Sequence, residues 1–147
     1  VQYFPRSTDT PKTLENKISF TENMIINKEI EINSKQSEID NFEYECSEDE
    51  FDEVLDDFHE TYNLDGMTFY PSDILKSCDP VAYRCAKSDY ESNYDLDSCE
   101  EYTDMVAQLE SLNEQLEALQ DELSHLTDEL DDLLERDLQE KADNLDL

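Results

Sequence analysis

The sequence predicts a mainly all-α protein: an elongated helical chain with a C-terminal leucine-heptad coiled coil and a small central helical module with at most a short β segment. Three observations carry this. Leucine recurs at alternating spacings of 3 and 4 over the last third of the chain. One glycine and four prolines in 147 residues leave long stretches without a helix breaker. Leu, Ile, Val and Phe number 34, against a net charge of −31, so one modest core is the most the chain can build.

Four segments follow in order. Residues 1–12 are polar, contain Pro5 and Pro11, and are expected to form an irregular arm. In residues 13–42, Leu14, Ile18, Ile25, Ile32, Ile39 and Phe42 lie at spacings of 4, 7, 7, 7 and 3, a heptad helix with isoleucine at one core position. Its other core position holds Thr21, Lys28 and Lys35, so the helix needs a partner that tolerates lysine, namely an acidic one.

Residues 43–100 read as a central acidic module. Between positions 38 and 60 there are 12 acidic side chains and no Lys or Arg. Ser47-Glu48-Asp49-Glu50 has the form of a capping box, and Phe51, Val54, Leu55, Phe58 and Tyr62 then recur as one helical face, predicting an amphipathic helix of about four turns. Its expected solvent face is Glu48, Asp49, Asp52, Glu53, Asp56, Asp57 and Glu60. Asn63-Leu64-Asp65-Gly66 ends it, Met67–Tyr70 is extended, and Pro71 opens a short helix to about Lys76. Asp79-Pro80 is an N-cap followed by a first-turn proline; Tyr83, Tyr90 and Tyr94 share one face of the helix they open, where core packing is the expected role.

Residues 101–147 form the coiled coil. Leu109, Leu112, Leu116, Leu119, Leu123, Leu126, Leu130 and Leu133 fill every a and d position of four heptads and are the expected oligomerisation residues. Asp137 takes the next a position, and the tail beyond Leu133 is expected to fray or repack. From Thr103 to Leu138 there are 12 acids and one basic residue, Arg136, with few charges at the strand-pairing e and g positions. The charge points outward, on Glu110, Glu114, Glu117, Asp121, Asp128, Asp131, Asp132 and Glu135 among others. A homodimer through the leucines is the expected partnership, but a hairpin in which Ile18, Ile25, Ile32 and Ile39 fill the leucine seam of the same chain stays open, as does a bundle of two such hairpins. These 36 residues span about 54 Å, so a homodimer shows one net negative per about 2.5 Å against about 1.7 Å for duplex DNA, and a hairpin about half that density.

Such acidity excludes direct binding to nucleic acid or an anionic membrane and points to a basic partner. A single glycine, Gly66, excludes the glycine-rich phosphate loops and the GxSxG elbow. His59-Glu60 lacks the second histidine of a zincin, His125 falls on the outer face of the coiled coil, and Asp95–Glu101 lacks the glycine and ligand order of an EF-hand. No catalytic residue, metal or cofactor is expected. Cys46, Cys78, Cys85 and Cys99 form no CxxC pair and are expected to be reduced and mostly buried. With no secretory leader and no long apolar run, the expected location is the cytoplasm.

Tyr70-Pro71-Ser72-Asp73-Ile74-Leu75, and more sharply Asp79-Pro80-Val81-Ala82-Tyr83-Arg84 followed by Asp89-Tyr90, resemble a block of small acidic bacteriophage proteins of unknown function, over about residues 47–94. The resemblance implies a phage origin and no mechanism; physically, the Asp79 cap, Pro80, the small Ala82 and an Arg84 able to pair with a carboxylate read as a structural module. In charge and size the chain is also similar to phage anti-restriction and anti-CRISPR DNA mimics. The expected function is therefore that of an acidic phage inhibitor whose carboxylates occupy the basic nucleic-acid channel of a host defence nuclease or complex. The alternative is a scaffolding or oligomerisation protein docking through its coiled coil; a cation-dependent enzyme is a weaker third.

Overall fold

The computed structural model describes residues 10–145, and it is helical in the main. In order it contains α1 (Pro11–Asp40), α2 (Glu48–Phe58), β1 (Tyr62–Leu64), β2 (Met67–Phe69), α3 (Pro71–Cys78), α4 (Pro80–Ser92), a 3-10 turn at Leu96–Ser98, and α5 (Glu100–Leu145). Two compact units result: α1 with α5 from Met105 onward, and the module between Asn41 and Asp104.

In the first unit α1 follows its heptad pattern. Leu14, Thr21, Ile25 and Ile39 are buried, and Ile18, Lys28, Ile32 and Lys35 are half-buried, so every core position of the pattern loses solvent. The partner is α5 of the same chain. Lys28 Nζ donates to Gln115 Oε1 at 2.8 Å, and Leu14 shares a cleft with Leu133 and Arg136, so the helices run antiparallel. Leu126 is buried and the other seven leucines of the row are half-buried. The hairpin is thus the pairing adopted within one chain. The seam lysines meet carboxylates of their own helix, Lys28 to Glu31 at 3.7 Å and Lys35 to Glu38 at 2.9 Å, rather than the acidic flanks of α5. Their stems cover apolar surface while the ammonium groups reach water and the i+3 carboxylate.

Three boundaries differ from expectation. Pro11 and Lys12 belong to α1, because proline at a first helical position forfeits no backbone bond; residues 1–9 of the expected arm lie outside the described residues. The tail after Leu133 does not fray, for α5 continues to Leu145 with Leu134, Leu138 and Leu145 exposed. No glycine or proline interrupts it, and local propensity carries the helix past the end of the apolar seam.

In the module α2 ends at Phe58, earlier than expected, and Phe58 and Tyr62 are exposed rather than on a buried face. The reason is Asp65-Gly66. Both residues take positive φ, 53° and 77°, as a tight hairpin turn requires, and this claims Tyr62–Leu64 for a strand paired with Met67–Phe69. Thr68 Oγ1 donates to Asn63 Oδ1 across the pair at 2.8 Å. The expected single extended stretch is therefore a two-stranded hairpin.

The module's core is Cys46, Phe51 and Tyr83, with Tyr44, Val54, Leu55, Leu75, Ala86 and Tyr90 packed against it. Phe51 meets Tyr83 edge-on at 5.4 Å and Tyr90 at 5.6 Å between ring centroids, the tilted arrangements that aromatic quadrupoles prefer. Ser47 Oγ accepts from Glu50 N at 3.1 Å and Asp79 Oδ1 from Ala82 N at 3.0 Å, so both sequence-read caps form. Only Cys46 of the four free cysteines is buried; Cys78 and Cys85 are exposed and Cys99 is intermediate, contrary to the expectation of mostly buried thiols. Cys78 closes α3 and Cys85 sits on the outer side of α4, faces the small core has no material to cover.

Candidate acidic interaction surface

Among the described residues no helix is long and apolar enough to cross a membrane. With Leu109 and Leu112 at a and d, the four f positions of α5 are Glu114, Asp121, Asp128 and Glu135, and three of the b positions are Glu110, Glu117 and Asp131. All seven are exposed. They form one ridge on the side of the helix away from the leucines, about 38 Å from Glu110 to Glu135 at about 1.5 Å per residue. Asp132 is set off the ridge and lines, with Leu14, Leu133, Arg136 and Gln139, a cleft of about 520 Å³.

The α2 carboxylates separate into two groups. Glu48, Asp49, Glu53, Asp57 and Glu60 are exposed, the last just beyond the helix. Asp52 and Asp56 are half-buried and face the module, correcting their place on the solvent face. Asp52 Oδ1 accepts from the Tyr83 hydroxyl at 2.7 Å, and Oδ2 from Lys76 Nζ at 2.5 Å. Burial works to raise its pKa, but the hydrogen bonds from Lys76 and Tyr83 outweigh burial and hold the carboxyl below its ordinary value. Tyr83 is pushed well above the usual phenol range, first by burial and then by donating to a carboxylate. Asp56 accepts from both the amide (3.0 Å) and the hydroxyl (3.1 Å) of Ser72. It caps α3 from another helix, since Tyr70 at the N-cap offers no side-chain bond. An N-cap without Ser, Thr, Asp or Asn was the signal in the sequence that a carboxylate had to come from elsewhere.

A second cleft, of about 410 Å³, lies within the module among Phe42, Tyr44, Tyr94, Leu96, Ser88, Ser92, Glu43, Glu45 and Glu91. Tyr44 and Tyr94 stack with centroids 3.8 Å apart, although Tyr94 lies beyond the end of α4. Glu91 accepts from Cys46 N at 2.8 Å and pairs with Lys87 at 3.1 Å; these, the backbone bond first, hold it below the usual carboxylate range. Burial, then the neighbouring Cys46 thiol and tyrosines, pushes Tyr44 up to about 12, so its hydroxyl is neutral at physiological pH. Ring faces beside carboxylates favour a cation over an anion here. Burial likewise raises the Cys46 thiol, which keeps it protonated and poorly nucleophilic.

Arg84 is exposed; the module's ion pairs are instead Lys76 with Asp52 and Lys87 with Glu91. His59 and His125 are exposed, and among the described residues no three His, Cys, Asp or Glu side chains are placed to hold a metal ion. No family model, curated protein or solved structure matches the chain.

Proposed function

We propose that this chain is a phage-encoded acidic inhibitor that binds the basic nucleic-acid-binding surface of a host defence protein, its carboxylates standing in for phosphates. One observation carries the reading: the exposed ridge of seven carboxylates on α5, broken only at Ser124 and directed away from the helix pairing. The exposed acids of α2 supply a second negative patch, and the phage-like Asp79–Tyr90 block supports the origin. Axial density contributes less. Over the same 54 Å or so, the hairpin carries one net negative per about 4 Å, less than half that of duplex DNA. Mimicry therefore rests on a one-sided row, as of one strand, rather than on a rod charged all round.

The test is capture of a host protein from bacterial lysate on the immobilised chain, with duplex DNA as competitor. Release by DNA, weakening between 50 and 500 mM salt, and loss of capture when Glu110, Glu114, Glu117, Asp121 and Asp128 become amides are expected. Capture indifferent to DNA, salt and these substitutions would reject the reading. It would favour the second one, a scaffolding protein, for which the half-buried state of seven row leucines speaks.

A further inference from the structure

α1 carries a second row at core spacing. Asn16, Phe20, Asn23, Asn27, Ile30 and Ser34 follow one another at intervals of 4, 3, 4, 3 and 4, two residues out of step with the row that packs on α5. Two residues are about 200° of helical turn, so this row lies on the opposite side of α1. All six side chains are exposed; Phe20 is 66% and Ile30 61% accessible, with Ile26 beside them at 54%. None of the six is charged, in a chain where 35% of residues are charged. A face kept only for solvation would carry carboxylates, as the outer face of α5 does. This one holds bare Phe and Ile between asparagines.

The geometry points to a second copy of this chain as the occupant, packed α1 against α1, antiparallel about a two-fold axis. Charge selects the occupant. A second copy brings a net −31 of its own, and its approach is opposed wherever carboxylates face carboxylates. The uncharged row is a face on which two copies meet with less of that cost, since no carboxylate of the row faces another. A basic partner is drawn instead to the α5 ridge. The row also has the symmetry an isologous contact needs, because it reads alike in both directions about residue 25. Phe20 opposes Ile30 of the second copy, Asn23 opposes Asn27, and Asn16 opposes Ser34, so apolar layers alternate with amide layers that set the register. Residues 26–40 carry a net −2 and residues 11–25 are neutral, so the antiparallel arrangement keeps the two acidic halves apart. The leucine row stays in the hairpin, and the contact is independent of the proposed inhibitor role.

The test is sedimentation equilibrium of the full chain across micromolar concentrations at 50 and 500 mM NaCl, with helix content read by circular dichroism. The 17.2 kDa chain is expected to reach twice that mass. Its dissociation constant should fall about tenfold or more at the higher salt as repulsion is screened, the reverse of the salt trend for a basic partner. Phe20→Glu with Ile30→Glu should weaken the dimer by about a hundredfold with unchanged helix content. Phe20→Lys with Ile30→Glu should keep it, because in the antiparallel register each new ammonium meets a new carboxylate. Should the Glu pair lose helix content, Phe20→Asn with Ile30→Asn is read in its place with the same expectation. A chain monomeric at every concentration and salt, a dimer that survives the Glu pair, or loss of the dimer in the Lys–Glu pair overturns the proposal.

Discussion

Replacing Asp52 with alanine removes one carboxylate that ties three helices of the module together. In the wild type it accepts from Tyr83 on α4 at 2.7 Å and from Lys76 on α3 at 2.5 Å, with its side chain 18% exposed. Without it the Tyr83 hydroxyl, on a residue 4% exposed, has lost its acceptor, which costs about 1–3 kcal/mol. Lys76 is a third exposed and keeps water and the Tyr83 ring at 5.5 Å, so loss of its ion pair adds about 1 kcal/mol or less. The expected cost is therefore about 2–3 kcal/mol, a large share of the roughly 3–10 kcal/mol that a module of this size holds in all. Urea unfolding followed by near-ultraviolet tyrosine dichroism measures it, since Tyr44, Tyr83, Tyr90 and Tyr94 all belong to the module.

The pH dependence tests the cause. Asp52 titrates below its ordinary value of 3.8 in the folded state, so its contribution is complete above that value and is lost as pH falls through the folded one. The difference between wild type and Asp52→Ala should be flat from pH 7 to about 5 and shrink below about 4. A cost under about 0.5 kcal/mol at pH 7, or a difference as large at pH 3 as at pH 7, would refute the assignment of this carboxylate as the module's tie.

Phe51→Ala, at a residue 3% exposed between Tyr83 and Tyr90, should cost about 3–5 kcal/mol and abolish the module's near-ultraviolet signal. Leu126→Ala, at the buried centre of the hairpin seam, should cost about 2–3 kcal/mol in thermal unfolding, whereas Leu138→Ala, 67% exposed, should stay within about 0.5. Gly66→Ala forces a side chain to φ 77° in open space, so a strain of about 1 kcal/mol is expected in the strand pair, seen as faster amide exchange at Tyr62–Phe69 with little change in global melting. Raising NaCl from 20 to 500 mM should raise the melting temperature, because a chain at −31 gains more from screened repulsion than it loses from the pairs Lys28–Glu31, Lys35–Glu38, Lys76–Asp52 and Lys87–Glu91.

Much of the fold was legible because it rests on periodicity and on local caps. The leucines of α5, the isoleucines of α1, and the Ser47 and Asp79 caps depend on neighbours within a turn or two, and each forms as read. The α5 ridge was legible too, since alternating leucine spacing fixes which residues point away. Competition between segments was harder to read. Phe58 and Tyr62 continue a helical pattern, yet the Asp65-Gly66 turn takes Tyr62 into a strand, because a turn with two positive φ values outbids one more helical turn.

By itself the sequence determined the helices, the apolar rows of α1 and α5 and the sign and location of the charge, all of which depend on residue type and spacing. Only the tertiary structure decided what each face meets. It put α1 on the leucine row of its own chain, turned Asp52 and Asp56 inward to hold Tyr83, Lys76 and Ser72, and left the uncharged row of α1 bare. Periodicity says that a face is apolar or acidic; which partner satisfies it depends on distances between residues far apart in the chain, and those exist only once the helices are packed.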